Sequence, residues 1–170
     1  DFRTFMDTVY CGFLQMAADT FHSIEPKIRI GISGTTPASV YNGYDWYLLM
    51  KAYGIVNTYG DSKLQQSFNP DCRFQGWTGY RQEDFKLWDA AWRRFLMGEK
   101  GWAYHTDDML VLWDIKESPL YANLARNVIS LFGNGLGKQL LFVCEREIHP
   151  IAIHYSKPSI FASYMQKYTE

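Results

Sequence analysis

A chain of 170 residues, 47% of them hydrophobic, has the length of one domain and enough apolar material for a packed core. The formal charge is −1 and no run of lysine or arginine exceeds two, which excludes the phosphate-neutralising footprint of a nucleic-acid binder. No apolar stretch approaches the roughly 20 residues that span a bilayer, so no membrane role is expected, and no targeting segment is visible from which to read a compartment.

Residues 2–23 place Phe2, Phe5, Met6, Val9, Phe13, Leu14, Met16, Ala17 and Phe21 at three- and four-residue spacings, which predicts a helix ended by Pro26. The chain opens directly inside this helix and without an initiator methionine, so it is expected to be a segment of something longer. The stretch "KIRIGISGT" (27–35), β-branched and punctuated by glycine, reads as a buried strand. A loop follows, with Asp45 as N-cap of the helix "WYLLMKAY". Next come a strand "GIVNTYG" (54–60) and a short helix "DSKLQQSF" closed by Asn69-Pro70. "CRFQGWTGY" (72–80) predicts a third strand and "EDFKLWDAAWRRFLMG" (83–98) a helix ended by Gly98, with Phe85, Trp88, Trp92, Phe95 and Leu96 on one stripe. "KGWAYHT" (100–106) is a fourth strand. Residues 118–132 form a helix with Ser118 as N-cap and Pro119 at its first position. "KQLLFVCE" (138–145) and "PIAIHYS" (150–156) read as two more strands, and "KPSIFASYMQKY" as a final helix. Strict alternation of strands and helices implies an α/β fold with a parallel sheet, either open or closed into a (β/α) barrel. Four units are too few for eight strands, so a barrel would be present only as its second half. The change at "GNGLGK" marks a boundary near residue 134.

Several tempting motifs fail on spacing. In "GNGLGKQ" the position five before Gly137 is Phe132, and Gln139 stands where a phosphate loop has its hydroxyl. "GISGT" lacks the GxSxG pattern of a nucleophile elbow. His22, His105, His149 and His154 are scattered without HxH or HxxxH spacing, so no metal and no cofactor is indicated; His154 reads as a half-buried strand residue and His22 as a solvated helix end. Cys11, Cys72 and Cys144 form neither a CxxC pair nor a disulfide framework and are expected to be buried free thiols.

In parallel α/β folds ligands bind at the carboxyl ends of the strands, where the loops converge. The first end and its loop offer Ser33, Thr35, Tyr41, Asn42 and Tyr44, and the second offers Asn57, Thr58, Tyr59 and Asp61. The third offers Gln75, Trp77, Thr78 and Tyr80, and the fourth Tyr104, His105, Thr106, Asp107 and Asp108. Aromatics make up 17% of the chain, with six Trp and twelve Tyr, and their flat apolar faces beside amides and hydroxyls suit a polyol. The same composition also builds a bulky core, and Asp107-Asp108 also fits a solvated turn.

From "KIRIGISGTTPASVYNGYDWYLLMKAYGIVNTYG" through "WRRFLMGEKGWAYH" the chain resembles the later half of clan-A glycoside hydrolase barrels of the β-galactosidase (family 42-like) type. "GKQLLFVCEREIHPIAIHYSKPSIFASYM" resembles the start of the flavodoxin-like domain that follows those barrels. The resemblance implies that residues 1–133 are strands five to eight of a (β/α)8 TIM-type barrel and that 134–170 begin a flavodoxin-like α/β domain. It implies an oligo- or disaccharide substrate with β-linked, galactose-type sugar, lined by Asn42, Tyr59, Trp77, Tyr80, Tyr104 and His105. The family's retaining mechanism uses two carboxylates about 5–5.5 Å apart, an acid/base after strand four and a nucleophile after strand seven. The first would lie before Asp1. The second falls in "RFQGWTGYRQ" (73–82), where no Asp or Glu stands; Glu83 and Asp84 already belong to the next helix start. The resemblance therefore leaves Asp107 or Asp108 as catalytic carboxylate, or implies a sugar-binding protein without turnover.

A third reading, an unrelated open α/β domain that binds a nucleotide or partner, stays open at this level. A half-barrel would leave its outer strand edges unpaired, so a missing N-terminal half or another chain is expected to cover them; a homo-oligomer stays open separately.

Overall fold

The computed structural model describes residues 2–35, 42–59, 62–79, 84–105, 116–124, 126, 135–145, 147 and 150–167. In chain order these form α1 (Phe2–Ile24), β1 (Gly31–Thr35), α2 (Trp46–Ala52), β2 (Ile55–Thr58), α3 (Lys63–Phe68), β3 (Arg73–Gly79), α4 (Asp84–Leu96) and β4 (Gly101–His105). Three helices follow: α5 (Pro119–Leu124), α6 (Leu136–Phe142) and α7 (Lys157–Lys167). The protein is α/β, and its four strands make one parallel sheet in the order β1-β2-β3-β4. The predicted alternation of strand and helix is therefore the observed one through β4.

Two compact units share the chain: Asp1–Val56, Lys63–Cys72 and Ile148–Glu170 form the first, and Asn57–Ser62 with Arg73–Glu147 the second. In the first, α1 packs on α2 and α2 on α3. Trp46, Leu49, Met50, Ala52, Tyr53, Val56 and Cys72 are buried and make its core. Asp45 caps α2 as predicted, its Oδ1 accepting from the backbone N–H of Tyr47 at 2.9 Å and of Leu48 at 3.2 Å. Asn69 closes the other end: its Nδ2 donates to the carbonyls of Met50 (2.9 Å) and Tyr53 (3.1 Å), while its Oδ1 accepts from the N–H groups of Asp71 and Cys72. One amide thus satisfies orphan carbonyls at the end of α2 and folds the turn into β3. Tyr47 packs edge-on against Phe68, and Phe68 against Tyr155.

In the second unit α4 packs on β3, and Phe74, Ala91 and Phe95 are buried. The end of α4 is a two-bond cap. Gly98, at φ 84°, donates to the Phe95 carbonyl (2.9 Å), and Glu99 N–H reaches back to the Arg94 carbonyl (3.2 Å). Only glycine holds that left-handed φ without strain, so the predicted stop at Gly98 is a Schellman motif. Ser118 caps α5 as expected, its Oγ accepting from Tyr121 N–H at 3.1 Å.

Three expectations are corrected. "KQLLFVCE" was expected to be a strand, and residues 136–142 are helix α6, with Gly137 and Leu141 buried one turn apart. A short unbroken apolar run has no period that separates the two states. "PIAIHYS" carries no strand either. Ile151 and Ile153 are exposed and His154 is exposed rather than half-buried, in an irregular segment leading into α7. Finally, Cys11 and Cys72 are buried free thiols as expected, but Cys144, just past α6, is exposed.

Candidate functional site at the carboxyl edge of the sheet

Because the strands are parallel, their carboxyl ends lie along one edge of the sheet. In the second unit this edge is set by the pairing of β3 with β4: Trp77 lies opposite Ala103, Thr78 opposite Tyr104, and Gly79 opposite His105. The two strands therefore end flush. Thr58 ends the neighbouring β2, and Tyr59, 44% exposed, is the next residue along the chain. Backbone register thus brings Tyr104 and His105 to the terminus of β4, Trp77 to within two residues of the end of β3, and Tyr59 just past β2. Asn57, on β2, has its Oδ1 buried, and among the described residues no hydrogen-bond partner meets it.

Four of the eight predicted site residues are thus gathered on this edge. Tyr80, Asp107 and Asp108 lie outside the described residues. Asn42 belongs to the first unit, in the segment after β1, where its Oδ1 accepts from Tyr44 N–H at 3.1 Å in a local turn. α4 begins at Asp84, five residues past the end of β3.

One element of the edge was not anticipated from sequence. Glu99 is 1% exposed; its Oε1 accepts from Ser62 Oγ at 2.8 Å, and its Oε2 lies 3.2 Å from Arg94 Nη1. Ser62 is fully buried and immediately precedes α3. The clamp therefore fixes the far end of the segment that starts with Tyr59. Gly76 on β3 leaves room for it, since a Cβ there would collide with Arg94 Cδ and Glu99 Oε2. The signal in the sequence is the cap itself: a Schellman motif folds the residue after glycine back over the last turn, which brings Glu99 to Arg94.

A second cluster lies in the first unit. Lys157 Nζ sits 3.0 Å from Asp7 Oδ2, donates to the Tyr44 carbonyl at 3.1 Å, and lies 4.9 Å from the centre of the Phe161 ring. This ion pair borders a cavity of about 450 Å³ whose wall also includes Asp45, Thr8 and Met165. Burial dominates the electrostatics nearby. It pushes the Cys11 thiol up to about 11, only partly offset by its contact with the Asp45 carbonyl. It pushes Tyr10 up to about 12, with the hydrogen bond to Tyr44 adding to the shift, and Tyr155 also to about 12. These groups stay protonated at neutral pH and offer no activated nucleophile. No group of three or more potential metal ligands occurs among the described residues.

Comparison with protein families, with curated proteins and with solved structures finds no match for this chain. Its own geometry must therefore carry any functional reading.

Proposed function

We propose that this chain is the later half of a glycoside hydrolase barrel, handling β-linked, galactose-type sugars at the carboxyl edge of its sheet. The observation that carries the reading is the flush parallel register of β3 and β4, with Thr78 beside Tyr104 and Gly79 beside His105, next to a β2 that ends in Thr58-Tyr59. Aromatic, hydroxyl and amide residue types on one strand edge are the mixture a sugar ring needs: a stacking face for its C–H surface and acceptors for its hydroxyls. The family-42-like resemblance supports the same edge, and on it β1 to β4 correspond to barrel strands five to eight.

In this reading Tyr59, Trp77, Tyr80, Tyr104 and His105 line the sugar subsite. Asp107 and Asp108, which follow β4 in the sequence, supply the carboxylate chemistry. Glu99 is excluded from it, since both its oxygens are engaged in a buried clamp. Replacing both Asp107 and Asp108 by asparagine should abolish aryl β-galactoside hydrolysis, and an unchanged rate would remove both from catalysis.

A second reading, sugar binding without turnover, is favoured by one specific observation. The stretch 73–82 that contains β3 carries no Asp or Glu, and the first acid after it, Glu83, directly precedes α4. Calorimetry that finds sugar binding with no hydrolysis would select it.

A further inference from the structure

We propose that the outward face of α1 is the surface through which two copies of this chain associate. α1 is apolar on the side turned away from its own unit. Phe2 is 74% exposed, Phe13 60% and Met16 59%, and Phe5, Met6, Val9, Phe21 and Ile24 are exposed as well. The residues it buries are Asp7, Cys11 and Ala18, a carboxylate, a thiol and a methyl group. The helix cannot roll to hide its stripe, because Asp7 is held by Lys157 at 3.0 Å and Cys11 faces the carbonyls of Gly43 and Asp45.

The occupant follows from spacing and area. Phe2, Met6, Val9, Phe13 and Met16 succeed one another at four, three, four and three residues, the seam of a two-stranded coiled coil in which each helix supplies both knobs and holes. Such a seam is self-complementary, which is the requirement of a two-fold interface between identical chains. No Lys, Arg, Asp or Glu interrupts it, and Gly12 beside it leaves open space into which a facing side chain fits. A phenylalanine buries on the order of 150–250 Å² when fully covered, so eight large side chains at these exposures offer roughly 700 Å². That is close to the approximately 800 Å² per partner of a standard stable interface. The inference does not depend on the sugar reading.

Light scattering on the purified chain, over a concentration series reaching about 100 μM, tests it. Twice the mass of one chain is expected, with the dissociation constant raised at least about thirtyfold by the double substitution Val9→Glu, Phe13→Glu. Leu96→Glu, at an exposed apolar position of the other unit, should leave the dimer intact at unchanged far-ultraviolet circular dichroism. A wild-type monomer throughout, larger species with no dimer among them, or a dimer that survives both glutamates would each overturn the proposal.

Discussion

The two units each bury a carboxylate against a cation, and the pairs differ in what surrounds them. Arg94 and Glu99 sit in packed surroundings, with Glu99 fully buried and also accepting from Ser62 Oγ. Asp7 and Lys157 are also nearly buried but border a cavity of about 450 Å³. Glu99 and Ser62 are sealed from solvent, whereas Asp7 and Lys157 border a space that water can enter.

Removing one partner tests that contrast most strongly. Glu99→Ala should destabilise the protein by about 3–5 kcal/mol in urea unfolding, because it removes the buried carboxylate that Arg94 Nη1 and Ser62 Oγ both bond. Asp7→Ala should cost less, about 1–3 kcal/mol, since Lys157 keeps the Tyr44 carbonyl and gains water from the cavity. Equal losses would erase the distinction. Gly98→Ala acts on the cap that brings Glu99 to Arg94. It should cost about 1–2 kcal/mol for forcing a Cβ into left-handed backbone, and more if the clamp opens with it.

The smallest effect separates the units by pH. Burial raises Cys11 from its ordinary value of 9.0 to about 11 and Cys72 from 9.0 to about 12, and both belong to the first unit. An acid whose folded pKa lies above its unfolded one favours the folded state fully below the unfolded value and progressively less as pH climbs through the folded one. Stability of the first unit should therefore decline above about pH 9 and continue to fall towards about 12. Ellman titration at pH 8 should find one fast thiol, Cys144, and two slow ones.

What the sequence made legible follows the range of the interactions involved. Local signals were read correctly: Asp45 and Ser118 as caps, Gly98 as a stop, and β-branched or aromatic runs between glycines as β1 to β4. "KQLLFVCE" was misread because an eight-residue apolar run carries no period. "PIAIHYS" looked like a strand by composition, yet pairing decides a strand and no strand pairs with it among the described residues. Asp7–Lys157, separated by 150 positions, leaves no local trace at all. On the strand edge, residue types and their order were legible from the alternation of elements, while the buried Glu99 clamp emerged only once α4 was seen to fold back on its own end.

The central claim is that the edge formed by β2, β3 and β4 binds a sugar. Isothermal titration of the protein with a β-galactoside, compared across wild type, Tyr59→Ala and Trp77→Ala, tests it most directly. We expect measurable binding by the wild type and a roughly tenfold or greater loss of affinity in each variant, as removal of a stacking face implies. Absence of binding, or binding that both variants retain unchanged, would contradict the account.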